Sequence, residues 1–279
     1  MPTVDPAELF RHARARGYAI GAFNAVNLET ASAIVSAAES EFSPVVLQVS
    51  ENAARYATFG PLTALCLALR DTAQVPVVLH YDHAESLASA SRALEAGYQG
   101  VMMETAHLAP DDALHSVREL VALAARSGAF VEAELEIVHK DDRHGGSRPS
   151  VDALRAAVRA SGCQLVAIDV GSRHKQQQRD TRLDLERLAA VAAAIPEPLV
   201  LHGGSGVHPD DLARAVALGV AKVNVATDLS VAFTDALREA LTDTRRVDPR
   251  HYLAPARDAL VARVREHVRA LGSAGTARS

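Results

Sequence analysis

Short β-branched and apolar runs alternate along this chain with Ala/Leu-rich segments in which apolar residues recur every three or four positions. The first pattern is that of buried strands, the second that of helices with one face turned to a core. Eight segments read as strands: 18–24, 44–50, 76–82, 99–104, 130–135, 165–170, 198–203 and 221–226. Helical periodicity fills the intervals, over 27–42, 61–73, 86–97, 110–127, 150–161, 184–195, 209–218 and 229–242. Regular alternation of strand and helix is the mark of parallel βα units. Eight units, with a helix over 6–16 before them and another over 254–270 after them, predict an α/β fold: one (β/α)8 TIM barrel over residues 1–279. Ser86 and Asp184 stand at cap positions and Pro209 at a first helical position. The polar stretch 138–150 reads as a mobile active-site loop, and 271–279 as a disordered tail.

A barrel of this kind builds its site from the C-terminal ends of its strands. Those ends carry Asn24, Ser50, Asp82 with His83, Glu104, Glu134, Asp169 with His174 beyond it, His202, and Asn224 with Thr227 and Asp228. One polar residue at a strand end is ordinarily a cap; a polar group on every strand points to a shared site. His83, His174 and His202 come from three different strand ends. Three imidazoles with an open fourth position suit a catalytic Zn2+, whereas a closed structural site would use cysteines; Co2+ or Mn2+ would also accept these ligands. The run LHGGSG over 201–206 follows a strand and leads into a helix, so its N–H groups and Ser205 can cradle an anion such as phosphate, with Thr227 beside it.

Composition narrows the function classes. The chain of 279 residues is 48% hydrophobic and 23% charged, with a net charge of −5 and no block of like charge. Nucleic acid is therefore not an expected partner. No apolar segment approaches a membrane span and the first residues lack a signal-peptide core, so the expected location is cytoplasmic. Cys66 and Cys163 lack metal or redox spacing and read as buried thiols. Lysines are few (Lys140, Lys175 and Lys222), and Lys222 falls near the start of a strand, leaving a Schiff-base mechanism no well-placed amine.

The segments GYAIGAFNAVNLET, HYDHAES, VEAELE, GSRHK, LHGGSG, KVNVATDL and DPRHYLAPARDAL together resemble the class II zinc-dependent ketose-bisphosphate aldolases, in the branch with tagatose- and fructose-bisphosphate aldolases. The resemblance implies a metal-dependent aldehyde-lyase that breaks or forms a C–C bond in a ketose phosphate or related anionic polyol through a zinc-stabilised enediolate. It implies Asp82 as acid/base on the C4 oxygen and His83, His174 and His202 as zinc ligands, with Glu134 near the metal. Asn24, Ser50 and Asn224 would orient the ketose half, and Gly203, Ser205 and Thr227 would hold its phosphate. A homodimer or homotetramer is the assembly it suggests.

Two features depart from the family pattern. Lys175 stands where a glycine follows the zinc histidine, and it can either block backbone approach or supply an ammonium to the phosphate. After Glu134 the usual glycine is Glu136, and the proton-transfer carboxylate would fall to Asp142 or Asp141, with His139 and His144 as further loop candidates. Both departures touch the ketose-phosphate side and point to an altered donor or acceptor. Arg173, Lys175, Arg179 and Arg182 make that region locally positive. Two alternatives stay open: another zinc-dependent barrel lyase or isomerase, and a noncatalytic sugar-phosphate-binding homologue.

Overall fold

Eight parallel strands close into a barrel in the order of the sequence: β1 (Ile20–Asn24), β2 (Val45–Ser50), β3 (Val77–Ala84), β4 (Gly100–Met103), β5 (Phe130–Glu134), β6 (Leu165–Ala167), β7 (Leu199–Leu201) and β8 (Val220–Val225). This computed structural model describes residues 6–136, 148–172, 176, 178–245 and 247–278. The helices are α1 (Pro6–Arg16), α2 (Leu28–Ser40), α3 (Glu51–Tyr56), α4 (Phe59–Thr72), α5 (Leu87–Glu95), α6 (Pro110–Ala124), α7 (Val151–Ser161), α8 (Leu185–Ala194), α9 (Pro209–Ala217), α10 (Thr227–Ala240) and α11 (Pro249–Ala270). All eight expected strands form, and each expected helix lies within a few residues of its place.

Strand parity sorts the core into two parts. Outward residues such as Leu47, Leu79, Val131 and Val223 pack beneath the helices. Inward residues Ile20, Val46, Val78, Phe130, Leu165 and Val200 meet Phe10 of α1, which plugs the N-terminal end of the barrel. Phe10 and Phe130 sit edge to face at 5.4 Å, and His80 stacks on the other side of Phe130 at 5.6 Å. Gly100 makes room for them: a Cβ there would lie 2.1 Å from the Phe130 ring and 2.7 Å from that of His80.

The caps behave as their residue types require. Ser86 forms a reciprocal capping box with Ser89, Asp184 accepts from the Arg187 N–H, and Pro209 opens α9. Helix α3 has no counterpart among the expected elements, because its single short turn carries too little periodicity to read. The apolar stripe of α11 (Ala256, Leu260, Val264, Val268) is buried within this chain. One further expectation changes. Within the stretch read as a disordered tail, residues 273–277 dock instead: Ser273 is buried with its hydroxyl 2.9 Å from that of Ser43, and the Gly275 and Ala277 N–H groups donate to the carbonyls of Glu41 and Phe42. Both cysteines are buried and free, and burial pushes their thiols up, to about 12 for Cys66 and about 11 for Cys163. No helix among the described residues is long and apolar enough to cross a membrane.

Candidate active site

A pocket of about 820 Å³ opens at the C-terminal end of the barrel. Asp82, His83 and Glu134 line it together with Asn24, Ser50 and Asn224, and so do Gly203, Ser205 and Thr227. His202 lies just behind, with its ring centroid 5.5 Å from that of His83. Asp142, His174 and Lys175 fall outside the described residues, as do Asp141, His139, His144 and Arg173. Glu104 also faces the pocket, but Asp169 does not line it; its carboxylate is held by Arg148 at 2.9 and 3.2 Å.

Consecutive residues of a regular strand point to opposite faces, yet Asp82 and His83 both reach the pocket. The cause is a bulge in β3. Tyr81 pairs with Val101 but Ala84 pairs with Met103, so β3 spends one more residue than β4 over this interval. His83 takes up the excess with φ of +52°, a left-handed conformation uncommon for a residue with a side chain. Such a backbone costs on the order of 1–3 kcal/mol and is characteristic of functional sites.

Each imidazole is held from behind by a carboxylate. His83 Nδ1 lies 3.0 Å from Glu104 Oε2, and His202 Nε2 lies 2.7 Å from Glu132 Oε1. The opposite ring nitrogens, Nε2 of His83 and Nδ1 of His202, are the ones that would meet a cation. Two imidazoles on one tetrahedral zinc have centroids about 5 Å apart, given Zn–N bonds near ~2 Å, which the 5.5 Å spacing matches. Carboxylate–histidine pairs of this kind fix the ring and its tautomer in metal sites. The donor set therefore fits a zinc ion. Burial alone would lower the His83 pKa, but Asp82, Glu104 and Glu134 outweigh it and raise it to about 9, so the cage favours positive charge. Asp82 is 4% exposed, its Oδ2 is 3.7 Å from His83 Nε2, and its Oδ1 has no hydrogen bond among the described residues.

Beneath the pocket lies a polar layer that the strand ends did not announce. Lys222 and Glu132 are fully buried inside the barrel, with Nζ 2.7 Å from Oε2. Lys222 is thus an inward residue in the middle of β8, not one at its start, and its ammonium is enclosed by acceptors rather than open to a carbonyl substrate. Burial alone would raise the Glu132 pKa, but Lys222 and His202 hold it well below the usual carboxylate range. His80, stacked below, is lowered to about 4, by burial first and then by Lys222, and is neutral. Ligand atoms of Asp82, Glu132 and His202 lie within 4.8 Å of one another, but a cation among them would face the Lys222 ammonium across the same carboxylate. The pocket side of the histidines is the better cation position.

The glycine-rich turn is held tightly against β8. Gly203 has φ of +67°, and a Cβ on Gly204 would lie 2.4 Å from Val223 Cγ1 and 3.0 Å from the Asn224 carbonyl, so the turn packs directly on β8. Ser205 Oγ accepts from the N–H groups of Ala226 (3.3 Å) and Asp228 (3.2 Å). With those acceptor positions used, its O–H is left to donate. Ser50 has a double position, since its Oγ caps α3 at the Ala53 N–H while it lines the pocket. Thr181 pairs with Val207, stitching the segment that follows His174 to this turn. Glu136, by contrast, is 2% exposed and does not line the pocket. It bonds Arg187 at 2.5 Å and the Asp169 N–H at 2.7 Å, tying β5 to β6 and α8.

A closed eightfold barrel with carboxylate-backed histidines, buried carboxylates and a glycine-rich turn at its C-terminal mouth is the arrangement of a metal-dependent lyase of the aldolase type. The sequence profile described as "Fructose-bisphosphate aldolase class-II" matches residues 4–276. This chain belongs to that family, the metal-dependent aldehyde-lyases of carbohydrate metabolism. It is 36% identical to the fructose-bisphosphate aldolase of Thermus caldophilus, over 98% of this chain and 99% of the relative, and 36% identical to that of Geobacillus stearothermophilus, over 99% of each. Among solved structures, the YdjI aldolase of Escherichia coli K12 superposes with a TM-score of 0.87 at 27% identity, covering 98% of this chain and 99% of that one.

Proposed function

We propose that this chain is a zinc-dependent aldolase that cleaves, and in reverse forms, the C3–C4 bond of a ketose bisphosphate, with fructose 1,6-bisphosphate as the substrate to try first. The observation that carries this reading is the convergence of Asp82, two carboxylate-backed histidines and the Ser205 turn on one pocket. His83 and His202 would hold the zinc, with His174 as the third ligand and Glu134 beside them. Bound zinc supplies a Lewis acid that draws charge from the carbon left when the C3–C4 bond breaks. Asp82 takes the proton of the C4 hydroxyl in cleavage and returns it to the aldehyde oxygen in condensation; its buried Oδ1, without a hydrogen bond among the described residues, gives that proton a place to go. Asn24 and Asn224 orient the ketose half, Ser50 presents a further hydroxyl, and the donors around Ser205, Gly203 and Thr227 receive the phosphate. Asp142 or its neighbour is the candidate for the second proton transfer, and Lys175 for a contact with the phosphate.

Glu136 is committed to Arg187 and does not line the pocket, so it would not itself alter the substrate. Lys175 remains as the feature that would alter the donor. The test is cleavage of a panel of ketose mono- and bisphosphates by purified protein with zinc quantified, before and after EDTA. Near-stoichiometric zinc, activity lost on chelation and restored by Zn2+, and kcat reduced about 100-fold or more in Asp82→Asn are expected. Stoichiometric zinc with no cleavage of any member would refute the aldol reading; absence of zinc would refute the metal site.

A further inference from the structure

We infer that Lys222, buried beneath the pocket, is a positioning residue that makes Asn24 and Asn224 hydrogen-bond donors and His202 an Nδ1 ligand. An ammonium has three donors and no acceptor, so every partner must offer it an oxygen. The three partners are Glu132 Oε2 at 2.7 Å, Asn224 Oδ1 at 2.7 Å and Gln48 Oε1 at 3.0 Å. With Asn224 Oδ1 turned to the lysine, its NH2 is the end left for the pocket that it lines. With Gln48 Oε1 turned the same way, Gln48 Nε2 donates to Asn24 Oδ1 at 3.2 Å, which leaves the Asn24 NH2 for the pocket in turn. On the third branch, Glu132 uses its other oxygen to accept from His202 Nε2, so that nitrogen carries the hydrogen and Nδ1 carries the lone pair. One charge therefore fixes the direction of hydrogen bonding at Asn224 and Gln48, through Gln48 at Asn24, and keeps ionised the carboxylate that accepts from His202.

That polarity matters for the reaction proposed above, on which this inference rests. Amide side chains are symmetric in shape and can present either end. A reaction that builds negative charge on the oxygens of a ketose needs donors around them, and an amide oxygen turned inward would oppose it. A buried lysine achieves this without touching substrate.

Two variants separate the relay from a merely structural ion pair. Lys222→Met leaves Glu132 buried without its counter-charge, so that it takes up a proton it can donate to His202 Nε2, and it releases both amides; Lys222→Met with Glu132→Gln removes both charges, while the glutamine carbonyl can still accept from His202. Folding is followed by urea unfolding, zinc affinity by chelator competition, the His202 tautomer by 15N NMR of the metal-free protein, and KM and kcat by cleavage of fructose 1,6-bisphosphate. Lys222→Met should lose about 10- to 100-fold in zinc affinity and raise KM by about tenfold or more. The double variant should regain folding stability, the Nε2–H tautomer and wild-type zinc affinity, with KM still raised. Recovery of KM together with zinc affinity in the double variant, or an unchanged KM in Lys222→Met, would overturn the assignment. If wild-type protein cleaves no ketose phosphate, the aldolase reading falls. The relay is then judged by zinc affinity and the tautomer, and an unchanged Nε2–H signal and zinc affinity in Lys222→Met would overturn it.

Discussion

Asp228 offers a stability test whose size and pH dependence both follow from its surroundings. It lies in the first turn of α10 with its carboxylate 9% exposed. Oδ1 accepts from Arg263 at 2.5 Å, and Oδ2 accepts from His267 at 2.7 Å and from Arg179. The cluster ties the segment after β6 and the C-terminal helix α11 to the base of the glycine-rich turn. Asp228→Asn removes the charge and turns an amide NH2 toward cationic donors. Removing one member of a buried ion pair costs roughly 3–5 kcal/mol. The Arg179 and Arg263 side chains are 34% and 31% exposed, so water takes up part of that loss and a value near the low end, about 3 kcal/mol, is expected. Burial would raise the Asp228 pKa, but the bonds from His267 and Arg179 overcome it and hold the group far below the ordinary value near ~3.9. A carboxylate with a depressed folded-state pKa contributes its full stability above the unfolded value and loses it as pH falls toward the folded one. The difference between wild type and Asp228→Asn should thus be constant from neutral pH to about 5 and shrink below about 4. Urea unfolding of both proteins at fixed concentration across that range measures it. A gap independent of pH, or one below about 1 kcal/mol at neutral pH, would refute the reasoning. Because the residue 228 N–H still donates to Ser205, KM should change little, which separates this stability role from substrate binding.

Ser205→Ala removes the hydroxyl aimed at the anion and the acceptor that caps α10, so KM for a phosphorylated substrate should rise about tenfold with kcat nearly unchanged; equal KM values in a steady-state assay would count against the anion turn. Gly100→Ala places a methyl group against the Phe130 and His80 rings and should destabilise the barrel by about 2–3 kcal/mol in urea unfolding. Phe130→Leu added to it should return part of that loss, and simple additivity of the two losses would show that the rings do not share the space left by Gly100.

The barrel was legible in the sequence because each strand and helix carries its own periodicity and several helices their own cap, and these local signals agreed. Most of the pocket was legible too, since the fold sends strand ends to one rim: Asn24, Asp82, Glu134 and Asn224 could be read off as the last inward residues. What lay one layer deeper was written in the same parity, with a polar residue two positions earlier on the same face: Gln48 before Ser50, His80 before Asp82, Glu132 before Glu134 and Lys222 before Asn224. Parity says that these residues point inward. It does not say which of them meet, because strands far apart in sequence face each other only after closure sets their stagger. Tertiary structure alone paired Lys222 with Glu132 and Gln48, turned Glu136 to Arg187, and docked the C-terminal residues on Glu41 and Phe42. The bulge that carries His83 around to the face of Asp82 is likewise a property of two strands in register, invisible in either one. Composition and periodicity determined which residues would be inside; the register of the closed barrel decided which buried charges would find each other.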